Sequence, residues 1–443
     1  MPTIEELKDR AFAEIDSRAE ELVNLSKQIL ANPEPGFREF KTAALVGEQF
    51  AAMGVPFRSG LGMTGLRGEI IGGSEGPSMA IMGELDSLIV NEHPHANAET
   101  GAAHACGHHC QIAMMLGVTR ALKRDDVLPH LSGRILPMAV PAEEYIEIEY
   151  RDQLRRDGKI EFLGGKPEFI KLGEFDDVHL AMMMHTTSAP SEKQLCLTGT
   201  NNGTVAKRIQ FVGKGAHAGG SPHLGINALN AATLAMSAIH FNRETFLDTD
   251  TVRVHPIITK GGEAVSAVPA DVRMETFVRG KTLDAIMDAN RKVDRALRAG
   301  AMAMGATVNI QTIPGYFPML QNDRMQAIFR ANAEKLVGAE NIGRTEHRTG
   351  STDMGDVSAI MPVLHPYVGG ATGIGHGADY VIQDYQMAVV TGAKAMASTV
   401  IDLMADGAKE ANQVVANHRP DMTSREYLKF MRSLAAEESY TDK

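Results

Sequence analysis

The amino-acid sequence predicts an α/β protein in which a larger domain, built on a mostly parallel sheet, is interrupted by a smaller α+β domain. Three observations predict it. Over residues 1–199, short apolar runs bounded by Gly and Pro alternate with segments of helical period. From about residue 200 to 315 the order becomes strand-helix-strand-strand-helix-strand, that of a ferredoxin-like sandwich. The first grammar then resumes over 316–443. A chain of 443 residues is also too long for one ordinary core, so at least two domains are expected.

Taken in order, Ile4, Leu7, Phe12, Ile15, Leu22, Leu25 and Ile29 recur near a helical period, and Pro33 and Pro35 end that helix. A second helix is expected over about 40–53, stopping at Gly54. Gly68–Gly72 and Met79–Met82 read as strands. The 85–105 stretch reads as a polar loop, and Gln111–Leu122 as a helix that starts just after His109. Arg134–Val140 and Val178–Met184 are apolar strands ending at Glu143-Glu144 and at His185. Alternation of this kind favours parallel strands covered on both faces. Leu197–Gly203 reads as a linker. Beyond it come strands at Val205–Val212, Arg253–Thr259, Val272–Val278 and Thr307–Ile313, with helices at Leu224–Phe241 and Leu283–Met304. Met325–Leu336, Pro362–Val368 and Met387–Met404 return to the first domain, and the tail after Gly407 reads as polar and at best helical.

Composition narrows the function classes. A net charge of −11 argues against nucleic-acid binding and against an anionic membrane surface. No run is read as approaching the roughly 18–20 apolar residues of a membrane span. The start, MPTIEELKDRAFAEID, lacks an apolar signal region. Three cysteines do not make a disulfide framework, so a reducing, cytoplasmic setting is expected.

His104-Ala105-Cys106-Gly107-His108-His109 carries the chemistry. It sets a thiolate and an imidazole two residues apart, around a glycine that lets the backbone turn sharply. Both groups bind divalent metals, and a helix start just beyond them would favour the thiolate. Glu143-Glu144, His185 and His376 are the sites placed to meet them. The first two follow strands, at the ends where open α/β sheets hold their ligands. Paired carboxylates there can divide labour, one binding metal and the other serving as general base. His376 sits in Gly369-Gly370-Ala371-Thr372-Gly373-Ile374-Gly375-His376-Gly377, where so many glycines imply positive φ or, as at Gly375, close backbone approach to a ligand. Taken singly, each piece has an ordinary structural reading. Together they suggest a hydrolase with one or two divalent ions per subunit, Zn²⁺ or Mn²⁺ by donor type.

The motifs as a set resemble the amidohydrolases of the M20 metallopeptidase family, in the branch with indole-acetyl-amino-acid and aminobenzoyl-glutamate hydrolases. Gly83-Glu84-Leu85-Asp86-Ser87-Leu88, Ala105–His108, Pro141-Ala142-Glu143-Glu144, His185, Gly213–Pro222, Gly261–Pro269 and Gly375-His376 occur in the family's order, over nearly the full length. The resemblance implies a two-metal catalytic domain with an inserted lid or dimerisation domain, and hence a homodimer. It implies Cys106, His108, Glu144, His185 and His376 as metal ligands, Glu143 as general base and Asp86 as the residue orienting one of the ligands. It also implies that His217 reaches the other subunit's site to polarise substrate, and that Arg279 grips a substrate carboxylate. The sequence departs from the branch at His109, where Asp is usual, which would alter the bonding around the ligands or let His109 touch substrate. It departs also at Ser266, where Asn is usual, and in two polar insertions, His93–Gly101 and Tyr150–Gly165.

The expected reaction is hydrolysis of a C–N bond, the amide of an N-acyl or aroyl amino acid. Two alternatives stay open. One is hydrolytic deamination of an activated aromatic amine, as in a nitroanthranilate aminohydrolase of the same broad group. The other is a metal-binding scaffold without turnover.

Overall fold

The structure is a computed structural model and describes residues 2–442. It divides into two compact units. The first comprises 1–199, 320–347 and 356–424, and the second 200–319, 348–355 and 425–443.

The first unit is α/β. Its main sheet runs in the order Phe57–Leu61, Gly65–Gly68, Ser132–Val140, Ser74–Glu84, Leu180–Met183, Val363–Leu364. The last four strands in this order are parallel, and those before residue 72 join antiparallel at the other edge. Parallel strands are buried on both faces, which is why Met79–Met82 and Leu180–Met183 are continuous apolar runs rather than alternating ones. The helix His108–Leu122 is buried nearly all round, because it passes through the core cluster that also holds helices Ile4–Ser17, Ala19–Leu30 and Gly392–Met404. A second, smaller sheet contains Ile342–Arg348, Leu195–Asn201, Tyr367–Val368 and His185–Thr186.

Several boundaries differ from those read off the sequence. The first helix is two helices, broken at Arg18. Helix His108–Leu122 begins earlier than Gln111, so His108 and His109 lie in its first turn and only Cys106 precedes it. The supposed linker 197–203 is the end of one strand and the start of another, with Asn202 between them. The polar insertion Tyr150–Gly165 overlaps helix Ile148–Arg156 and ends where helix Gly165–Lys171 begins, with Arg151 and Asp152 within it fully buried. One helical segment, Gln386–Met404, is long and apolar enough to cross a membrane, correcting the expectation of no such run; 78% of it is buried inside the protein.

The second unit is an antiparallel sheet with helices Ala228–Phe241 and Leu283–Met304. Strand Gly203–Val212 lies between Asp271–Gly280 and Thr307–Tyr316, and Arg253–Val254 and Ile257–Lys260 pair beyond Asp271–Gly280. That is the ferredoxin-like arrangement the sequence predicts. Strand Asp271–Gly280 alternates buried and half-buried along its length, as one covered face requires. The tail departs from expectation. Residues 425–443 belong to the second unit, and Ala436–Thr441 adds an edge strand against Thr307–Thr312. Four of its six residues are among Ala, Glu and Ser, so no apolar alternation announced it.

Candidate metal centre

The parallel strands end together, and the polar groups of interest follow them. Glu84 is the last residue of its strand and is in register with Val140, whose strand leads into Pro141–Glu144. Met183 ends the adjacent strand, two residues before His185. The loop before helix His108–Leu122 supplies Cys106. Gly107 caps that helix at φ 91°, where an added Cβ would lie 2.0 Å from Thr186 Oγ1, so only glycine fits between the two donors.

The structure brings the five proposed donors of the first unit together in two overlapping groups. Cys106, His108 and His185 form one, and Cys106, Glu144 and His376 the other, with donor atoms of each within 4.8 Å of one another. Cys106 belongs to both. Its Sγ is 3.2 Å from His185 Nε2, and His376 Nε2 is 3.4 Å from Glu144 Oε1. Glu84, His108 and Glu143 form a third group, and Glu143 Oε2 stands 4.0 Å from His108 Nε2.

Hydrogen bonds behind the donors fix their orientation. His108 Nδ1 lies 2.9 Å from the Asp86 carbonyl, which turns Nε2 toward the centre. His185 Nδ1 is 2.7 Å from the Thr186 carbonyl and is likewise spent. The Glu144 amide donates to Asp86 Oδ2 at 2.9 Å. Asp86 thus touches two donor residues at once. Burial alone would push its pKa up, yet the bond from His108 holds the carboxyl below its usual range.

The electrostatics are those of a cation site. Burial pushes the Cys106 thiol well above its ordinary value, with Glu144 adding to it. Burial also works against charge on His108, but Glu84 and Cys106 outweigh it and raise the imidazole. Burial and the neighbouring His108 lower His185 to about 3, so it is a neutral imidazole, the form that binds metal. His108 Nε2 and Glu144 Oε1 are buried and make no hydrogen bond, though Glu84 Oε2 lies 3.1 Å from the first and His376 Nε2 3.4 Å from the second. A soft sulfur, three imidazoles and carboxylates, with buried donor atoms that face one another and make no hydrogen bond, fit one or two divalent cations.

The sequence reading missed Glu84 and Lys166. Lys166 Nζ lies 2.5 Å from Glu84 Oε1, both fully buried, and Gln111 Nε2 donates to Glu84 Oε2 at 2.9 Å. Burial would raise Glu84, but Lys166 and then His108 bring it down to about 2. An acid closing an apolar strand two residues before Asp86 was the available signal. Lys166 gave none, since a lysine in a short helix ordinarily faces water.

The His109 ring is buried, 5.2 Å from that of His104 and 6.2 Å from that of Tyr385. Gly375 has no left-handed φ, and the space in its Cβ direction is open, which leaves room for a ligand to approach its backbone. The strain in that loop falls instead on Gly370, Gly373 and His376 itself, at φ 66°.

His217 and Arg279 belong to the second unit. His217 is exposed, and its Nδ1 accepts from the amides of Gly219 and Gly220 at 3.1 and 2.9 Å, which leaves the proton on Nε2. Arg279 is half-buried over the ring of Phe277, 4.8 Å from its centroid.

Comparison with known proteins decides the family. The profile of peptidase family M20/M25/M40 matches residues 80–402, which include every donor of the centre. The chain belongs to this family. It is therefore a hydrolase of C–N bonds, as the motifs imply, and the reading as a scaffold without turnover falls away. This M20 chain is similar to a mouse Xaa-Arg dipeptidase, 28% identical over 425 residues that cover 90% of each chain. It is similar also to the Arabidopsis thaliana IAA-amino acid hydrolase ILR1-like 4, 26% identical over 79% of this chain and 77% of that one. A Bacillus subtilis structure described as a dinuclear metal-binding peptidase from the M20 family shares the fold, with a TM-score of 0.64 and 18% identity, over 88% of this chain and 99% of that one.

Proposed function

We propose that this chain is a metal-dependent amidohydrolase that cleaves the amide of an N-acyl or aroyl amino acid. The observation that carries the reading is the sharing of Cys106 between the two donor groups, with Glu143 at their side. Cys106, His108, Glu144, His185 and His376 would hold the cations. Bound there, divalent ions lower the pKa of water and offset charge growing on a carbonyl oxygen. The chain's own residues do the rest. Glu143 takes the proton from the attacking water and gives it to the departing nitrogen. The C–N bond breaks to leave a carboxylate and an amine. Asp86 keeps His108 and the Glu144 backbone in place. The Nε2–H of His217, exposed on the second unit, suits donation to the substrate oxygen, from a partner subunit if the chain dimerises as its resemblance implies. The Arg279 guanidinium suits the substrate carboxylate.

The amide reading is favoured over aryl-amine deamination by the two relatives named for dipeptides and amino-acid conjugates. A panel of N-acyl and aroyl amino acids beside nitro-substituted anilines tests it. Release of the free amino acid is expected. Ammonia release from the anilines alone would replace amide hydrolysis with deamination.

Cation binding should also depend on pH in a defined direction. Cys106 and His108 both hold protons above their ordinary range when no cation is bound, and both must lose them to act as ligands. Binding therefore releases protons, so affinity should strengthen from about pH 6 to about pH 8 and weaken on acidification. Titration calorimetry with Zn²⁺ or Mn²⁺ in buffers of different ionisation enthalpy reads this directly. A pH-independent affinity with no proton release would count against these ligands.

A further inference from the structure

We infer that Glu39 and Arg151 form a buried clamp on the Pro141–Glu144 corner, and that they are positioning residues for Glu143 and Glu144. The inference rests on the reading of those two glutamates as base and ligand.

The corner is strained at one point. Ala142 has φ 54°, in the left-handed region that an alanine adopts only when its surroundings impose it. Both of its peptide groups are held. The Ala142 amide donates to Glu39 Oε1 at 2.8 Å, and its carbonyl accepts from Arg151 Nη1 at 3.1 Å. Glu39 is fully buried and is itself fixed by Thr64 Oγ1, which donates to Oε2 at 2.6 Å. Arg151 is fully buried, and the same Nη1 donates to the Leu163 carbonyl at 2.8 Å.

A guanidinium is always charged and costly to bury; the buried Asp86 carboxylate feels the charge of Arg151, but the hydrogen bonds of Arg151 go to the backbone. Its ordered contacts are two backbone carbonyls and the ring of Phe37, 5.4 Å away. The segment around Gly36 closes on the same place: a Cβ there would lie 2.3 Å from Arg151 Nη2 and 2.9 Å from Ala142 Cα. Asp86 holds the far side of the corner through the Glu144 amide. With three buried groups on successive peptides, consecutive residues Glu143 and Glu144 cannot relax, which keeps one near His108 and the other beside His376.

The test compares Glu39→Gln with Glu39→Leu in the metal-loaded enzyme. Glutamine keeps an acceptor for the Ala142 amide; leucine keeps the bulk and removes it. For Glu39→Leu we expect kcat to fall about 100-fold with KM little changed, the size of effect that a small misplacement of reacting groups produces. Metal affinity at the Glu144 position should fall about 10–100-fold, as when an outer partner of a ligand is lost. Glu39→Gln should restore both to within about threefold of the parent, since the hydrogen bond is regained. Arg151→Met should resemble Glu39→Leu; circular dichroism and Tm establish that each variant is folded. A folded Glu39→Leu with parental kcat and metal content overturns the clamp, as does a Glu39→Gln that fails equally. Glu143→Gln, run alongside, separates the levels: an active Glu143→Gln overturns the underlying reading whatever the Glu39 variants do.

Discussion

Replacing Glu143 by Gln should lower kcat by about 10²–10⁴-fold, the usual contribution of a positioned general base, while leaving the bound metal in place. The amide has the shape of the carboxylate but neither accepts the proton of water nor returns it to the leaving nitrogen. Glu143 stands at the edge of the donor cluster, with Oε2 4.0 Å from His108 Nε2, whereas Glu144 is 3.4 Å from His376 and anchored by Asp86. The two neighbours should therefore separate cleanly. Glu144→Gln is expected to lose metal as well as rate. Metal analysis beside steady-state kinetics checks this, and Glu143→Gln with parental kcat would remove the base from the mechanism.

Replacing Cys106 by Ser should have the broadest effect on metal binding. Cys106 is common to both donor groups, so losing the thiolate weakens both positions at once. A serine hydroxyl stays protonated near neutral pH and is a poor ligand for the soft cations a thiolate selects. Affinity should fall by more than the 10–100-fold typical of losing an outer partner, at every position the protein fills. His376→Ala is the control, because His376 belongs to one group only. It should weaken one position and spare the other. Equilibrium dialysis read by elemental analysis gives the two stoichiometries, and a Cys106→Ser protein that keeps both cations with parental affinity would rule out a shared thiolate. Activity should follow the metal in both variants.

The five donors of the first unit were legible because each occupies a position that simple rules mark. A cysteine and a histidine flank a glycine. Glu143-Glu144 and His185 follow apolar runs, and His376 sits among glycines. Those signals are local and need no knowledge of what lies across the fold. Glu84, Lys166, Glu39 and Arg151 were not legible for the opposite reason. A charged residue is ordinarily solvated, and whether it is buried depends on segments far away in the chain: Lys166 meets Glu84 across 82 positions, and Glu39 meets Ala142 across 103. His109 shows how little adjacency says about orientation. Its place beside His108 suggested a part at the centre, but successive residues on a helix point about 100° apart, and the ring lies against His104.

The sequence by itself determined the fold class, the ferredoxin-like order of the second unit and the donor types, since periodicity, strand-end position and ligand chemistry are written in local residue order. Only the tertiary structure decided that Cys106 serves two groups and that a polar tail closes a sheet edge. It also decided that buried charges far apart in the chain brace the corner carrying Glu143 and Glu144. These depend on distances between strands and on which polar side chains leave water, and such quantities exist only once the chain has folded.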